Sequence, residues 1–339
     1  MSLNDVWFAL FIIIIAGYVI LDGFDLGVGM LDPFVAKTDP ERRLVLNSIG
    51  PIWDGNEVWL VVGGGVLFAA FPMVYAAMFS GFYWALMLVL LFLILRTVAI
   101  EFRSNRASPG WRTSWDLIFS VASYALVLLL GVALGNVVAG VPLSQSGDVD
   151  ISVIQLLKLF PDLVGLTAIA MLAVHGGLYL AVKTEGDVHD RVERILPRAG
   201  IAFVVLGLIV VVMMFANDYV VVQRYKDAPG WLIFPAAAAA AFAMIWFYRR
   251  RGRDFAAFFS SSVMLALLLI SAGIGMYPNL LVSTIDSAYN MTATNAASAH
   301  LTLEVMLVVA IIGLPFVLLY TSGVQYLFRG KVTLGADSY

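Results

Sequence analysis

Two short stretches hold most of the residues that can do chemistry. One reads Leu21-Asp22-Gly23-Phe24-Asp25-Leu26-Gly27-Val28-Gly29 and the other Gly50-Pro51-Ile52-Trp53-Asp54-Gly55-Asn56-Glu57-Val58-Trp59-Leu60. In each, two carboxylates stand three residues apart, Asp22 with Asp25 and Asp54 with Glu57, and so share a helix face. A charged Asp at the centre of a membrane helix costs about 2.5–3.5 kcal/mol on insertion scales, less near the interface. A carboxyl desolvated in this way can exchange protons near neutral pH. Proton handling is therefore the chemistry to test first, with Asp25 and Asp54 as its leading carriers and Asp22 and Glu57 beside them. The plainer readings are that Asp22 caps or snorkels at an interface, that Asp25 hydrogen-bonds a neighbouring helix, and that Trp53 and Trp59 are interfacial anchors.

Other residues narrow the choice. Arg96 lies inside an apolar run and needs a counter-charge, which Glu101, one of the aspartates or an anionic group on a partner can supply. Gly23 and Gly27 are spaced for close helix approach, and Gly63-Gly64-Gly65 suits helix packing or a passage for a small gas. There are three histidines, His175, His189 and His300, and no cysteine. One His at membrane depth cannot anchor a set of haems, and the absence of Cys excludes thiolate ligation and iron–sulfur clusters within this chain. His175 reads as an interhelical hydrogen-bonding residue, the pair His300/Glu304 as a surface pair, and the 13 methionines as packing. No phosphate-binding glycine loop appears, and no basic nucleic-acid footprint.

These residues sit in a chain of 339 residues that is 61 % hydrophobic and 13 % charged, with a mean hydropathy of +0.93. Soluble domains carry about 25 % charge, so the chain reads as an all-α polytopic membrane protein. Nine stretches approach the ~20 apolar residues that a bilayer core requires: 6–29, 52–71, 76–99, 115–139, 160–182, 199–216, 230–248, 256–276 and 304–327. The second and third are joined by a tight turn at Phe71-Pro72-Met73-Val74-Tyr75. The first has no basic flank or small-residue cleavage site and reads as a retained helix rather than a signal peptide.

Lys and Arg alternate between connections. Sixteen of the 20 fall in the first loop, 100–114, 183–198, 249–255 and the tail; Lys158, Arg224 and Lys226 lie in the alternate connections, and Arg96 lies within a span. That places the N-terminus outside and the C-terminus in the cytoplasm, and one span more or fewer would scramble the alternation. The expected architecture is two four-helix bundles with one peripheral helix, forming a single integral membrane domain over 1–339.

The two acidic stretches, with Glu41-Arg42-Arg43 and Asn47-Ser48-Ile49 between them, resemble subunit II of cytochrome bd quinol oxidase. The likeness continues through Phe68 to Ala76, Ser80-Gly81-Phe82-Tyr83, Arg96, Trp111-Arg112, Trp115-Asp116, Gly135-Asn136 and Gly140-Val141-Pro142, and reaches Leu301-Thr302-Leu303. The resemblance implies a bacterial cytoplasmic-membrane complex that oxidises quinol and reduces O2 to water. It would build a proton-motive force without pumping, by taking protons from the cytoplasm and releasing quinol protons outside.

In that family two haems b and one haem d are held by subunit I, the heterodimer partner, and none by subunit II. A structural quinone occurs in some members, and small single-helix accessory subunits and the surrounding membrane lipids are further expected partners. By the same likeness Asp25 and Asp54 serve proton delivery, Trp53, Arg96 and Glu101 support the subunit interface or haem surroundings, and Trp59 lies on an oxygen route. No family role carries over to His175 or Glu304, and the 217–229 connection is shorter than in some members. The excess of Arg over Lys, 15 to 5, suggests a GC-rich genome and with it menaquinol. The competing class is a proton-coupled secondary transporter, which would place broken helices and binding groups at the midplane of two halves; here the acids gather in one half.

Overall fold

The computed structural model describes residues 2–335. Its helices are α1 (Leu3–Val35), α2 (Asp39–Ile49), α3 (Trp53–Ala70), α4 (Pro72–Gly81), α5 (Tyr83–Phe102), α6 (Pro109–Ala139), α7 (Val153–Leu156) and α8 (Leu159–Lys183). They continue with α9 (Gly186–Ala216), α10 (Val220–Asp227), α11 (Ile233–Arg249), α12 (Asp254–Met276) and α13 (His300–Leu327). A small antiparallel pair, β1 (Asn279–Leu281) and β2 (Met291–Thr292), closes one end.

Among the described residues, eight helices are long and apolar enough to cross a membrane, against nine expected. The missing one is α3, an 18-residue helix whose first turn carries Asp54 and whose second begins with Glu57. The polar start that makes this segment chemically interesting also removes it from the set. The expected span 76–99 is not one helix either, because the chain breaks at Phe82 between α4 and α5. At the break Gly81 lies against Val149, where a β-carbon would come within 2.6 Å of the valine side chain.

The largest departure is in α1. It was expected to end near Gly29 but runs on to Val35, with Pro33 tolerated in its last turn. Asp22 and Asp25 are thus interior residues of a 33-residue helix, with ten residues, about 15 Å, of helix beyond Asp25. The helix starts on a capping box between Ser2 and Asp5. It is the hub of the fold, packing against α3, α6, α8 and α12.

Its approach to α8 is backbone on backbone. A β-carbon at Gly27 would overlap the Leu172 carbonyl oxygen and lie 2.8 Å from the Gly176 Cα. Gly27→Ala is therefore expected to push α1 from α8 and lower stability by about 1–3 kcal/mol. Gly64→Ala, at a position with nothing within 4 Å, should leave the thermal midpoint of the purified complex unchanged or slightly raised. Equal midpoints for the two variants would contradict this account of the helix contact.

At the end rich in Arg, ion pairs tie the elements together. Arg42 meets Asp32 at 2.7 Å and Asp116 at 3.5 Å, Arg103 bridges Asp116 and Asp39, and Arg112 reaches Asp39 at 2.7 Å. Arg191 of α9 pairs with Glu41. That guanidinium, together with the backbone N–H groups of Lys37 and Thr38, holds the Glu41 carboxyl down at about 2, despite some desolvation. At the opposite end the loops fold inward, with Val141 N–H donating to the Val282 carbonyl at 2.9 Å and Trp7 Nε1 to the Leu303 carbonyl at 3.0 Å. α13 is the outlying helix, with its main contacts to α1 and α3 and Leu303 as its buried residue.

Candidate functional site

The break in polarity falls where α1, α3 and α5 meet. Asp22 and Asp25 on α1 are both fully buried, as is Arg96 on α5. An Arg96 Nη2 hydrogen-bearing nitrogen stands 2.8 Å from Asp22 Oδ1, charge to charge but without hydrogen-bond alignment, and Arg96 Nη1 lies 3.8 Å from Glu57 Oε2. Asn56, buried on α3, donates through Nδ2 to Asp25 Oδ2 at 2.8 Å. Tyr18, one turn before Asp22, is buried with its hydroxyl unpartnered.

Helical spacing explains the convergence. Tyr18, Asp22 and Asp25 fall on one stripe of α1, while Asn56 and Glu57 are neighbours on the turn of α3 that faces it. Three carboxyls thus share one guanidinium. Asp25 Oδ1, both Asp22 oxygens and all three Arg96 nitrogens lack a hydrogen-bond partner among the described residues. In native proteins nearly all buried polar atoms are paired, so this concentration singles the cluster out as the candidate site.

The counter-charge for Arg96, left open by sequence, is Asp22 with Glu57. Glu101 lies exposed near the end of α5, outside this cluster. Asp54 is also exposed, at the start of α3, and is not brought to the buried group. Trp53 and Arg96 are both buried within this chain, so any support they give a partner surface is indirect.

Trp59 is buried with Nε1 unpartnered and lines an apolar cavity of about 340 Å³ between α1, α3 and α13, with Trp7, Ile14, Val62 and Val309. Gly63 packs against Ile15, whereas Gly64 and Gly65 face open space.

His175 behaves as its surroundings suggested. Nδ1 lies 2.7 Å from Ser261 Oγ and Nε2 2.9 Å from the Ile20 carbonyl, linking α8 to α12 and α1. Both ring nitrogens are engaged in these interhelical contacts. His300 and Glu304 form an exposed pair at 3.3 Å.

Sequence reasoning missed one participant and one further buried acid outside the cluster. Asn56 was seen as part of a polar run but not as the donor to Asp25; its offset from Glu57 by one residue was the available signal. Asp32, ten residues after Asp22, is 1 % exposed and held by Arg42, with Oδ1 unpartnered. A local reading that ends α1 near Gly29 leaves Asp32 outside the helix, whereas α1 runs to Val35.

The buried acid–arginine cluster, the glycine-lined contact of α1 with α8 and the multi-pass topology can be set against known proteins. The profile of the cytochrome bd terminal oxidase subunit II family matches residues 3–328. The chain belongs to that family. It is 35 % identical to cytochrome bd-I ubiquinol oxidase subunit 2 of Escherichia coli K12, over 98 % of this chain and 95 % of the relative. To cytochrome bd ubiquinol oxidase subunit 2 of Bacillus subtilis 168 it is 32 % identical, over 98 % and 97 %. In fold it matches a chain of the bd oxidase from Geobacillus thermodenitrificans with a TM-score of 0.80, covering 97 % of this chain and 99 % of that one at 16 % identity. This subunit II is thus a multi-pass inner-membrane component of a bacterial terminal oxidase complex, with a subunit I partner.

Proposed function

We propose that this subunit carries no haem of its own, supports the haem-bearing subunit I and takes part in uptake of the protons consumed when O2 is reduced to water. The complex oxidises quinol, with menaquinol favoured by the Arg-over-Lys bias, and builds a proton-motive force without pumping. Two haems b and one haem d reside in subunit I; a structural quinone and small single-helix subunits complete the assembly in the fullest form of this reading. The single observation that carries the proton role is the buried group Asp22, Asp25, Asn56 and Arg96, with the partly exposed Glu57 beside it. One guanidinium cannot compensate three carboxylates where uncompensated charge is costly, so the set has room for exchangeable protons.

In this reading α3 is the ninth span, the N-terminus lies outside and the C-terminus in the cytoplasm, with two four-helix bundles and α13 as the peripheral helix. Asp54 collects protons where the partner subunit meets α3, Glu57 passes them inward, and Trp53, Arg96 and Glu101 brace that surface. The apolar cavity beside Trp59 serves O2, which needs no polar lining.

Haem content in the purified complex tests the division of labour. His175→Ala, His189→Ala and His300→Ala should each retain full haem b and haem d absorption. Loss of a haem from any of them would overturn the haem-free reading, and a complex with no haem at all would overturn the oxidase reading.

A further inference from the structure

A second, unrelated feature lies at the basic end, on the outward faces of α9 and α11. Pro197 interrupts the hydrogen bonding of α9, because it has no N–H to offer the Glu193 carbonyl. Arg249 of α11 fills the gap, donating through Nη2 to that carbonyl at 3.2 Å and to Glu193 Oε2 at 2.6 Å. The same guanidinium stacks on Trp246, 4.9 Å from the ring centroid. Trp246 in turn packs against Gly200, where a β-carbon would overlap Cζ2 and come within 2.9 Å of Cη2.

The result is a slot of about 310 Å³ with an indole floor, walled by Pro197, Ile201, Val204, Val205 and Phe242. Its walls are apolar yet stand open, Ile201 being 65 % and Val205 51 % exposed. From Pro197 to Val205 it runs about 12 Å along the helix axis.

The mouth is basic. Arg194 lies one turn before Pro197 on the stripe that continues to Ile201 and Val205, and Arg198 follows beside it. Arg250, Arg251 and Arg253 come from the α11–α12 connection, and all five are exposed. Of the neighbouring acids, Glu193 is engaged by Arg249, while Asp254 and Asp190 lie 3.6 and 3.8 Å from the His189 ring.

The geometry points to a bound phospholipid with a net anionic headgroup, one acyl chain lying in the slot and the phosphate resting between Arg194 and Arg250. The lining is apolar throughout, which suits a single hydrocarbon chain, and a helix laid across the same face is the alternative that the test excludes. Charge decides against a zwitterion, because five exposed guanidiniums exceed what one phosphate with its own ammonium would neutralise.

The test uses the purified, delipidated complex titrated with phosphatidylglycerol or phosphatidylcholine, with bound lipids counted by native mass spectrometry. Phosphatidylglycerol should bind more tightly, and Arg194→Gln with Arg250→Gln should weaken it on the order of tenfold while leaving phosphatidylcholine unchanged. Ile201→Trp, which fills the slot from an exposed position, should remove the bound lipid without changing haem content or thermal midpoint. Equal binding of the two lipids, indifference to Ile201→Trp, or a polypeptide found in the slot would each overturn the assignment.

Discussion

Asp25→Asn in the assembled complex is expected to lower quinol oxidase turnover on the order of 10²-fold, the smaller end of what a positioned proton carrier contributes. The substitution is close to isosteric. The amide oxygen of the new side chain can still accept the 2.8 Å hydrogen bond from Asn56 Nδ2, so packing between α1 and α3 is retained. What is lost is the capacity to carry a proton, since an amide does not titrate. Haem absorbance and the thermal midpoint should therefore match the unsubstituted complex while turnover falls. Asn56→Leu separates positioning from carrying, because it leaves the carboxyl in place but frees it from its donor; turnover should drop less, by about tenfold. Full turnover in Asp25→Asn would remove this residue from the proton route and leave the subunit as a scaffold.

How much of this was readable beforehand depended on whether the governing interaction was local. Spacing along one helix put Asp22 and Asp25 on a shared face, marked Gly23 and Gly27 for close packing, and identified His175 as an interhelical link, because each depends on periodicity and polarity alone. The extension of α1 to Val35 was not readable. Asp32 and Pro33 look like a helix end to any local rule, and they are held in helix by Arg42 and Lys37, the latter donating to the Pro33 carbonyl at 2.9 Å. The close contact of Gly81 with Val149 beside the break at Phe82 was hidden for a similar reason, since Val149 is distant in sequence. The partner of Arg96 was the hardest to find. Glu101 is nearer in sequence, but a helix places residues five apart on different faces, whereas Asp22 and Glu57 arrive from two other helices.

That three-helix convergence makes Arg96 the position where a single substitution should cost most stability. At an effective dielectric near 20, a pair at the 2.8 Å separation of Arg96 and Asp22 attracts by about 6 kcal/mol and one at the 3.8 Å separation of Glu57 by about 4 kcal/mol, before desolvation. Both charges of the closer pair are fully buried, so desolvation consumes much of that gain, and the intact pair adds little net stability. Removing one partner is another matter. Arg96→Leu leaves Asp22 buried without compensation and should cost about 3–5 kcal/mol, read as a lower thermal midpoint and poor recovery of haem-loaded complex. Arg96→Lys should be intermediate, because an ammonium is a point charge that cannot span Asp22 and Glu57 as a planar guanidinium does. The double variant Arg96→Leu with Asp22→Leu should recover most of the midpoint by replacing the pair with apolar packing, yet leave turnover low because the polar cluster around Asp25 is dismantled. An Arg96→Leu complex that is as stable as the unsubstituted one would overturn this account of Arg96 as the compensating charge for the buried acid.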